Sequence, residues 1–225
     1  PGTWRLERWD PTQEAYTTYP SLDRLRPGDA FWLVTNEGTP PTLDAGRTVP
    51  ADTARAIPLD VGWNQIGSPF AFPVAWSTVT GASDLGGSVG APVAYGDSTF
   101  QRGRALLQPW TGYFVFSTTA DTLTVPPVAA STTAPVEALP GARAAWPHDA
   151  EATQKATGDR YTVRVEAAGG DETAQAHLGL WSDAQADWDR FDRPQLPPLH
   201  SSLRLAAVAS VDGRAVPLSH SAKPA

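Results

Sequence analysis

The chain contains no cysteine and no methionine. Without cysteine, neither a disulfide framework nor a thiolate metal site can form. Basic residues are also few: the chain has 17 Lys and Arg and 24 Asp and Glu, which gives a net charge of −7. This negative charge argues against nucleic-acid binding, which needs a basic surface. No apolar run approaches the roughly 18 residues that a spanning helix needs, so we expect no membrane span.

Turn-forming residues and tryptophan, by contrast, are abundant. The 22 Pro and 19 Gly punctuate the chain at short intervals, which is typical of short strands joined by turns. The 9 Trp either fill cores or form binding platforms. This composition predicts an all-β protein.

An aromatic-rich segment occurs twice. Residues 25–35 read Leu-Arg-Pro-Gly-Asp-Ala-Phe-Trp-Leu-Val-Thr and align without a gap with residues 107–117, which read Leu-Gln-Pro-Trp-Thr-Gly-Tyr-Phe-Val-Phe-Ser. A leucine, a proline turn and an apolar strand recur in the same order. This repetition indicates a duplicated β-module with repeat units 4–58 and 59–126.

Alternating patterns predict the strands of these units. Trp4–Trp9 and Ala15–Tyr19 form a predicted hairpin, and Val93–Tyr95 with Thr99–Phe100 form its match in the second unit. Val74–Val79 also alternates and predicts a strand. The Gly62-Trp63-Asn64 strand has no counterpart in the first unit, so we expect either that this strand precedes residue 1 or that the sheet has an open edge there. An unpaired edge beside Trp4–Trp9 would favour strand donation by a neighbouring chain, and a paired edge would count against it.

The boundaries of two domains follow from composition. Residues 1–126 form the duplicated domain, and 127–147 are a Pro- and Ala-rich linker. Residues 148–225 form a smaller β-sandwich that begins with the alternating segment Tyr161–Glu166 and ends in a tail, after Leu218, that we expect to be disordered. The predicted fold is an all-β, pseudo-duplicated antiparallel β-barrel or sandwich followed by a smaller Ig-like β-sandwich.

Three motifs carry a resemblance to a protein family. They are Gly62-Trp63-Asn64, the pair Pro27-Gly28-Asp29-Ala30-Phe31-Trp32 and Pro109-Trp110-Thr111-Gly112-Tyr113-Phe114, and the later pattern Leu178-Gly179, Asp183-Ala184, Asp187-Trp188-Asp189, Asp192 and Pro194. The chain resembles the C-terminal regions of large secreted or cell-surface bacterial multidomain proteins. The resemblance implies an extracellular or cell-surface location and an architecture, not a reaction. Trp110 departs from the pattern, since the first unit has Gly28 there, and predicts a different turn.

An acidic cluster is the best candidate for a metal site. Closely spaced carboxylates could bind Ca²⁺, which prefers oxygen ligands, although the spacing is not that of an EF-hand. The alternative is that these residues are turn residues that cap local backbone N–H groups. The cluster consists of Asp183, Asp187, Asp189 and Asp192.

No set of residues predicts catalysis. The 4 His are not spaced as metal ligands, and no Ser has a Gly-x-Ser-x-Gly context. Asp189 and Asp192 lie too close in sequence to flank a glycosidic bond as paired carboxylates. We therefore expect that the chain is not an enzyme and needs no cofactor, a structural Ca²⁺ aside.

Aromatic residues in hairpins and next to turns could instead stack on sugar rings. The alternative is that they cover the open ends of the sandwich. The candidate ligand-binding residues are Trp4, Trp9, Tyr16, Trp76, Tyr95 and Trp110.

The sequence therefore favours a non-catalytic structural or accessory module of a secreted or cell-surface bacterial protein. Its expected partners are other domains of the parent chain or neighbouring surface subunits. Two alternatives stay open: a carbohydrate-binding module that uses exposed aromatics, and a subunit of an extracellular surface assembly joined by strand donation.

Overall fold

The computed structural model describes residues 4–22, 24–35, 49–96, 99–131, 160–189, 191–199 and 204–224. The chain divides into two compact units, Pro1–Pro140 (unit 1) and Gly141–Ala225 (unit 2). The division falls inside the predicted linker 127–147, most of which lies outside the described residues. The first residues of that linker contact unit 1, because the Ala130 N–H donates to the Pro73 carbonyl at 2.8 Å.

The protein is all-β apart from a short helix, and no closed barrel forms within the described residues. The elements of unit 1 are, in chain order, β1 Trp4–Asp10, β2 Ala15–Thr18, β3 Trp32–Thr35, β4 Arg55–Leu59, β5 Gly62–Gly67, β6 Val74–Ala75, α1 Trp76–Ala82, β7 Val93–Gly96, β8 Thr99–Gln101, β9 Leu106–Leu107, β10 Gly112–Ser117 and β11 Asp121–Val125. Those of unit 2 are β12 Arg160–Gly169, β13 Glu172–Trp181, β14 Arg193–Pro194, β15 Ala207–Val211 and β16 Arg214–Lys223.

Both predicted hairpins of unit 1 are confirmed. β1 pairs antiparallel with β2, which sets Trp9 opposite Tyr16, and β7 pairs antiparallel with β8, which sets Tyr95 opposite Phe100. The two sheets have corresponding orders, β2-β1-β3 and β5-β10-β7-β8, in which β3 and β10 carry the repeated segment. β10 continues to β5, whereas the first sheet ends at β3 within the described residues.

The edge beside Trp4–Trp9 is paired, which counts against strand donation at this place. β1 is the central strand of its sheet and pairs with β2 on one side and with β3 on the other. The residues after the Pro27-Gly28 turn also reach the second sheet, where Asp29 forms a β-bridge with Ile66 of β5. Non-local pairing of this kind leaves no trace in a local alternation pattern.

The predicted strand Val74–Val79 is wrong over most of its length. Pairing with β9 stops after Ala75, and α1 begins at Trp76, whose N–H donates to the Ala105 carbonyl at 2.8 Å. Trp76 and Val79 are both buried. Residues three apart share one helix face, so this pair can bury its side chains in a helix although the segment alternates.

The core of unit 1 lies on one face of the β5-β10-β7-β8 sheet. Tyr113 and Val115 of β10 pack there with β4, β11 and α1. The other face of β10 carries Phe114 and Phe116, which are also buried. Phe114 lies 6.3 Å from Trp32 between ring centroids, so the β2-β1-β3 sheet covers this face. Coverage on both sides explains why β10 is almost continuously apolar.

The described residues of unit 2 join in one five-stranded sheet, ordered β12-β13-β16-β14, with β15 also paired to β16. The β15–β16 hairpin turns at Asp212-Gly213, where both residues have positive φ. The second packed sheet of an Ig-like sandwich is absent from the described residues.

The tail expected to be disordered is a strand. β16 runs through to Lys223, and its residues His220 to Lys223 pair in parallel with β13. Leu218 and Ala222 are fully buried, and Ala222 packs with Trp181 and Phe191. Residues 218–223 have the local composition of a disordered tail, but the burial of their small and apolar side chains holds them in the β16 strand. None of the described helical residues forms a segment long and apolar enough to cross a membrane.

Candidate functional site

The acidic cluster of unit 2 organises a turn. The Asp189 carboxylate accepts the Gln185 N–H and the Phe191 N–H, both at 2.7 Å. Asp192 Oδ2 in turn accepts the Asp189 N–H at 3.1 Å. These bonds cap backbone donors, which was the alternative to metal binding.

Asp192 differs from the other acids of the cluster because its side chain is fully buried. Burial raises the pKa of this carboxyl above its ordinary value of 3.8, although Ser221, the Asp189 N–H and the charge of Lys223 oppose that shift. The Lys223 ammonium lies 3.7 Å from Asp192 Oδ2. Within the described residues no group of three or more His, Asp or Glu side chains is placed to hold a metal ion, so the structure does not bring the cluster together as a Ca²⁺ cage.

Three of the six aromatic candidates, all of which belong to unit 1, are packed in its interior. Trp9 and Trp76 are buried, and the Trp9 backbone N–H donates to Gln65 Oε1 at 2.7 Å. Tyr16 is half-buried, contacts Trp9 at 5.1 Å between ring centroids, and accepts a bond from Trp32 Nε1 at 3.2 Å. Their positions make them packing residues.

The other three candidates reach the surface. Tyr95 is partly exposed but packs edge-on against Trp32 and Phe100, at 5.3 and 5.2 Å between centroids. Trp4 is 39% exposed and Trp110 is 95% exposed. These two side chains offer the largest aromatic surfaces of the candidate set.

Trp110 combines exposure with an unusual backbone. Its φ is +62°, in the left-handed region that a bulky side chain rarely adopts. Gly28, at the equivalent position of the repeated segment, has φ +97°. The turns before β3 and before β10 therefore both have a positive φ at this position. The prediction that Trp110, in place of glycine, gives a different type of turn is not met in the sign of φ. The chain thus holds a tryptophan at a position where glycine is free of strain.

The β2-β1-β3 sheet presents a second aromatic surface on its outer face, which we define as Trp4, Leu6, Arg8, Tyr19 and Leu33. Leu6 lies opposite Leu33, and the Tyr19 N–H donates to the Leu6 carbonyl at 3.0 Å, so these residues are neighbours on one side of the sheet. The Trp4 and Tyr19 rings lie 5.3 Å apart between centroids, and Tyr19 is 56% exposed. The set of candidates drawn from sequence contains Trp4 but not Tyr19.

A cavity of about 460 Å³ opens at Arg8, on the same sheet. It is lined by Arg8, Leu22, Arg24 and Arg26, and we call it the arginine cavity. In the sequence a turn and β2 separate Arg8 from Arg24 and Arg26, and the fold of the chain back along β1 brings the three arginines to one cavity. An Arg-x-Arg pair after a hairpin is too common a pattern to predict such a site.

The turn that follows holds the cavity in shape. Asp29 Oδ2 accepts the Arg26 backbone N–H at 2.7 Å and a bond from Arg8 Nη1 at 3.1 Å. The Asp29 N–H donates a hydrogen bond to the Arg26 carbonyl at 2.9 Å, which closes the Pro27-Gly28 turn. One carboxylate therefore ties the strand arginine to the loop.

Compared with known proteins, the chain matches no family model, no curated protein and no solved structure. Two surfaces of unit 1 therefore stand out as candidate binding sites: the turn with the exposed Trp110, and the outer face with its arginine cavity.

Proposed function

We propose that the chain is a non-catalytic accessory module of a secreted or cell-surface bacterial protein, and that unit 1 binds carbohydrate through exposed aromatic side chains. The resemblance in the repeated strands supports the setting, and the corresponding strand orders of the two sheets support a duplicated scaffold. The observation that carries the binding function is Trp110.

Trp110 lowers the stability that this turn could have, through its backbone and through its exposed side chain. A left-handed backbone on a non-glycine residue costs about 1–2 kcal/mol, and an indole left 95% exposed forgoes the gain from burial. Strain of this kind persists at ligand contacts, where the surrounding structure holds a side chain in position. A flat exposed indole stacks well on the apolar face of a sugar ring, which favours carbohydrate as the ligand.

The neighbouring structure braces the turn backbone that carries the indole. Tyr113 is buried, and its hydroxyl accepts the Gln108 N–H at 2.8 Å across the turn that contains Trp110. Thr111 follows Trp110 and leads directly into β10, which begins at Gly112. A turn backbone braced in this way loses little freedom on binding, which favours affinity.

The test is a titration of intrinsic tryptophan fluorescence against a panel of soluble polysaccharides. We compare wild type with Trp110→Asn, because asparagine tolerates left-handed backbone. We expect saturable binding to at least one glycan in the wild type, loss of binding in the variant, and a gain of about 1 kcal/mol in its unfolding free energy. Trp110→Tyr keeps an aromatic ring and should keep part of the binding. No binding by the wild type, or equal binding by Trp110→Asn, would refute the proposal.

A second function, membership in a surface assembly, is favoured by β12. This strand is ten residues long and forms one edge of the unit 2 sheet among the described residues. Its face carries Tyr161 and Val163, which are 66% and 60% exposed, opposite the exposed Leu180 and Leu178 of β13. A long edge strand with an apolar face is a site for pairing with another strand.

The partner that fits this edge is a second copy of the chain. Arg164 and Glu166 lie on the opposite face of β12, 3.8 Å apart. Antiparallel pairing about Val165 would set Arg164 of each copy opposite Glu166 of the other, which gives two cross-strand ion pairs. Sedimentation velocity should show a dimer that Arg164→Glu weakens and that Arg164→Glu with Glu166→Arg restores. A monomer at all concentrations refutes this function.

A further inference from the structure

We propose that the ligand of unit 1 is an acidic polysaccharide, and that the arginine cavity takes its carboxylate or sulfate groups while the outer face holds the adjoining sugar rings. This inference rests on the proposed carbohydrate-binding function and names the class of glycan.

The cavity is positively charged, whereas the protein as a whole is negatively charged. Three arginines line it, whereas the chain as a whole has a net charge of −7. Bringing like charges together is unfavourable unless something offsets their repulsion. Asp29 offsets the charge of Arg8, and within the described ranges no salt bridge involves Arg24 or Arg26. The cavity therefore carries surplus positive charge that an anion would neutralise.

Guanidinium groups suit this ligand. Arginine presents planar N–H donors that match the paired oxygens of a carboxylate or sulfate, and such charge-assisted bonds are stronger than neutral ones. Leu22 supplies an apolar wall beside these donors. A cavity of about 460 Å³ is large enough for a sugar residue together with its acidic group.

The aromatic pair lies within reach of the same ligand. Trp4 and Arg8 are on the same face of β1, since side chains alternate along a strand. Four residues of strand separate them by about 13 Å. That distance leaves room for more than one sugar ring, so one ring could stack on Trp4 and Tyr19 while another places its acidic group in the cavity.

The experiment compares acidic and neutral forms of the same oligosaccharides by isothermal titration calorimetry on the full chain. Hexagalacturonate and its methyl ester test carboxylate, and sulfated cellohexaose and cellohexaose test sulfate. The test variant is Arg24→Gln with Arg26→Gln, both exposed positions. The control is Arg5→Gln, which removes one positive charge, against two in the test variant. Arg5 lies on the opposite face of β1, where it pairs with Glu7 at 3.3 Å.

We expect at least one acidic form to bind about tenfold or more tightly than its neutral form, with affinity that falls as salt rises. The double variant should lose about 10- to 100-fold in affinity for the acidic form and nothing for the neutral one. Arg5→Gln should bind like wild type.

Five other results would each change the conclusion. Equal binding of acidic and neutral forms, or unchanged binding by the double variant, overturns the acidic site while carbohydrate binding by the aromatics stands. Equal loss in Arg5→Gln also overturns it, because net charge and not the cavity would then set the affinity. Absence of binding to every probe overturns it as well. If the arginine variant loses acidic binding but Trp4→Ala and Trp110→Asn do not, the anion site stands, whereas the placement of sugar rings on the outer face and the carbohydrate-binding function of Trp110 are both refuted.

Discussion

Gly28→Ala tests whether the Pro27-Gly28 turn is packed against the core of unit 1. The φ of Gly28 is +97°, and a Cβ placed there would lie 2.8 Å from both Cγ1 and Cδ1 of Ile57. Carbon atoms in good contact lie about 3.5–4.0 Å apart. Ile57 is buried and pairs with Leu123 across β4 and β11, so it has little freedom to withdraw.

Two costs add in this variant. A non-glycine residue at this φ costs about 1–3 kcal/mol, and forcing a methyl group into a packed site costs about 1–3 kcal/mol more. We therefore expect Gly28→Ala to lower the unfolding free energy of unit 1 by about 2–6 kcal/mol. The matched control is Gly62→Ala, because Gly62 has φ +105° and a Cβ added to it would meet no atom within 4 Å, so this variant should show the backbone cost alone.

Urea unfolding read by hydrogen exchange in peptides from β5 and β10 measures unit 1 separately from unit 2. Adding Ile57→Val removes Cδ1 and should recover part of the loss in Gly28→Ala, which a double-mutant cycle detects as a coupling. The reasoning is refuted if Gly28→Ala and Gly62→Ala cost the same, or if the two changes at Gly28 and Ile57 are additive.

Two further predictions concern unit 2. In Gly179→Ala the new Cβ would lie 2.7 Å from Nε1 of the fully buried Trp181, so we expect the unfolding free energy, measured in urea, to fall by about 1–3 kcal/mol. The control Gln175→Ala, at an exposed position of the same strand, should change it little, and equal effects of the two variants would contradict this prediction. Burial raises the pKa of Asp192 above 3.8, so its contribution to stability is complete below that pH and is lost as pH rises through the folded-state pKa. The urea midpoint of unit 2 should therefore fall over this range in wild type and fall less in Asp192→Asn, and parallel curves for the two proteins would contradict the assignment.

Local patterns predicted the hairpins of unit 1 because their strands are adjacent in sequence. Period-two alternation and turn residues specify such pairs without help from the rest of the chain. The strand Gly112–Ser117 could be predicted equally well, since its apolar run is bounded by a turn at each end. The sequence also offered the turn-capping function of Asp189 as one of two alternatives, because aspartate bonds its own local backbone.

Other features could not be predicted from local patterns. Val74–Val79 alternates, yet most of it is helical, because a segment of this length is compatible with either period and packing decides. The β16 strand depends on a parallel partner, β13, far away in sequence. Among the candidate aromatics, Trp9 and Trp110 look alike in sequence, but one is buried and the other is 95% exposed.

The sequence alone determined that this protein is all-β, where its short hairpins turn, and that no cysteine site exists. These properties depend on composition and on residues within a few positions of each other. Only the tertiary structure decided that the arginines at positions 8, 24 and 26 meet at one cavity and that Trp4 and Tyr19 share the outer face. Sites of this kind arise from pairing between strands and from the packing of a loop on a sheet, and neither interaction has a local signature.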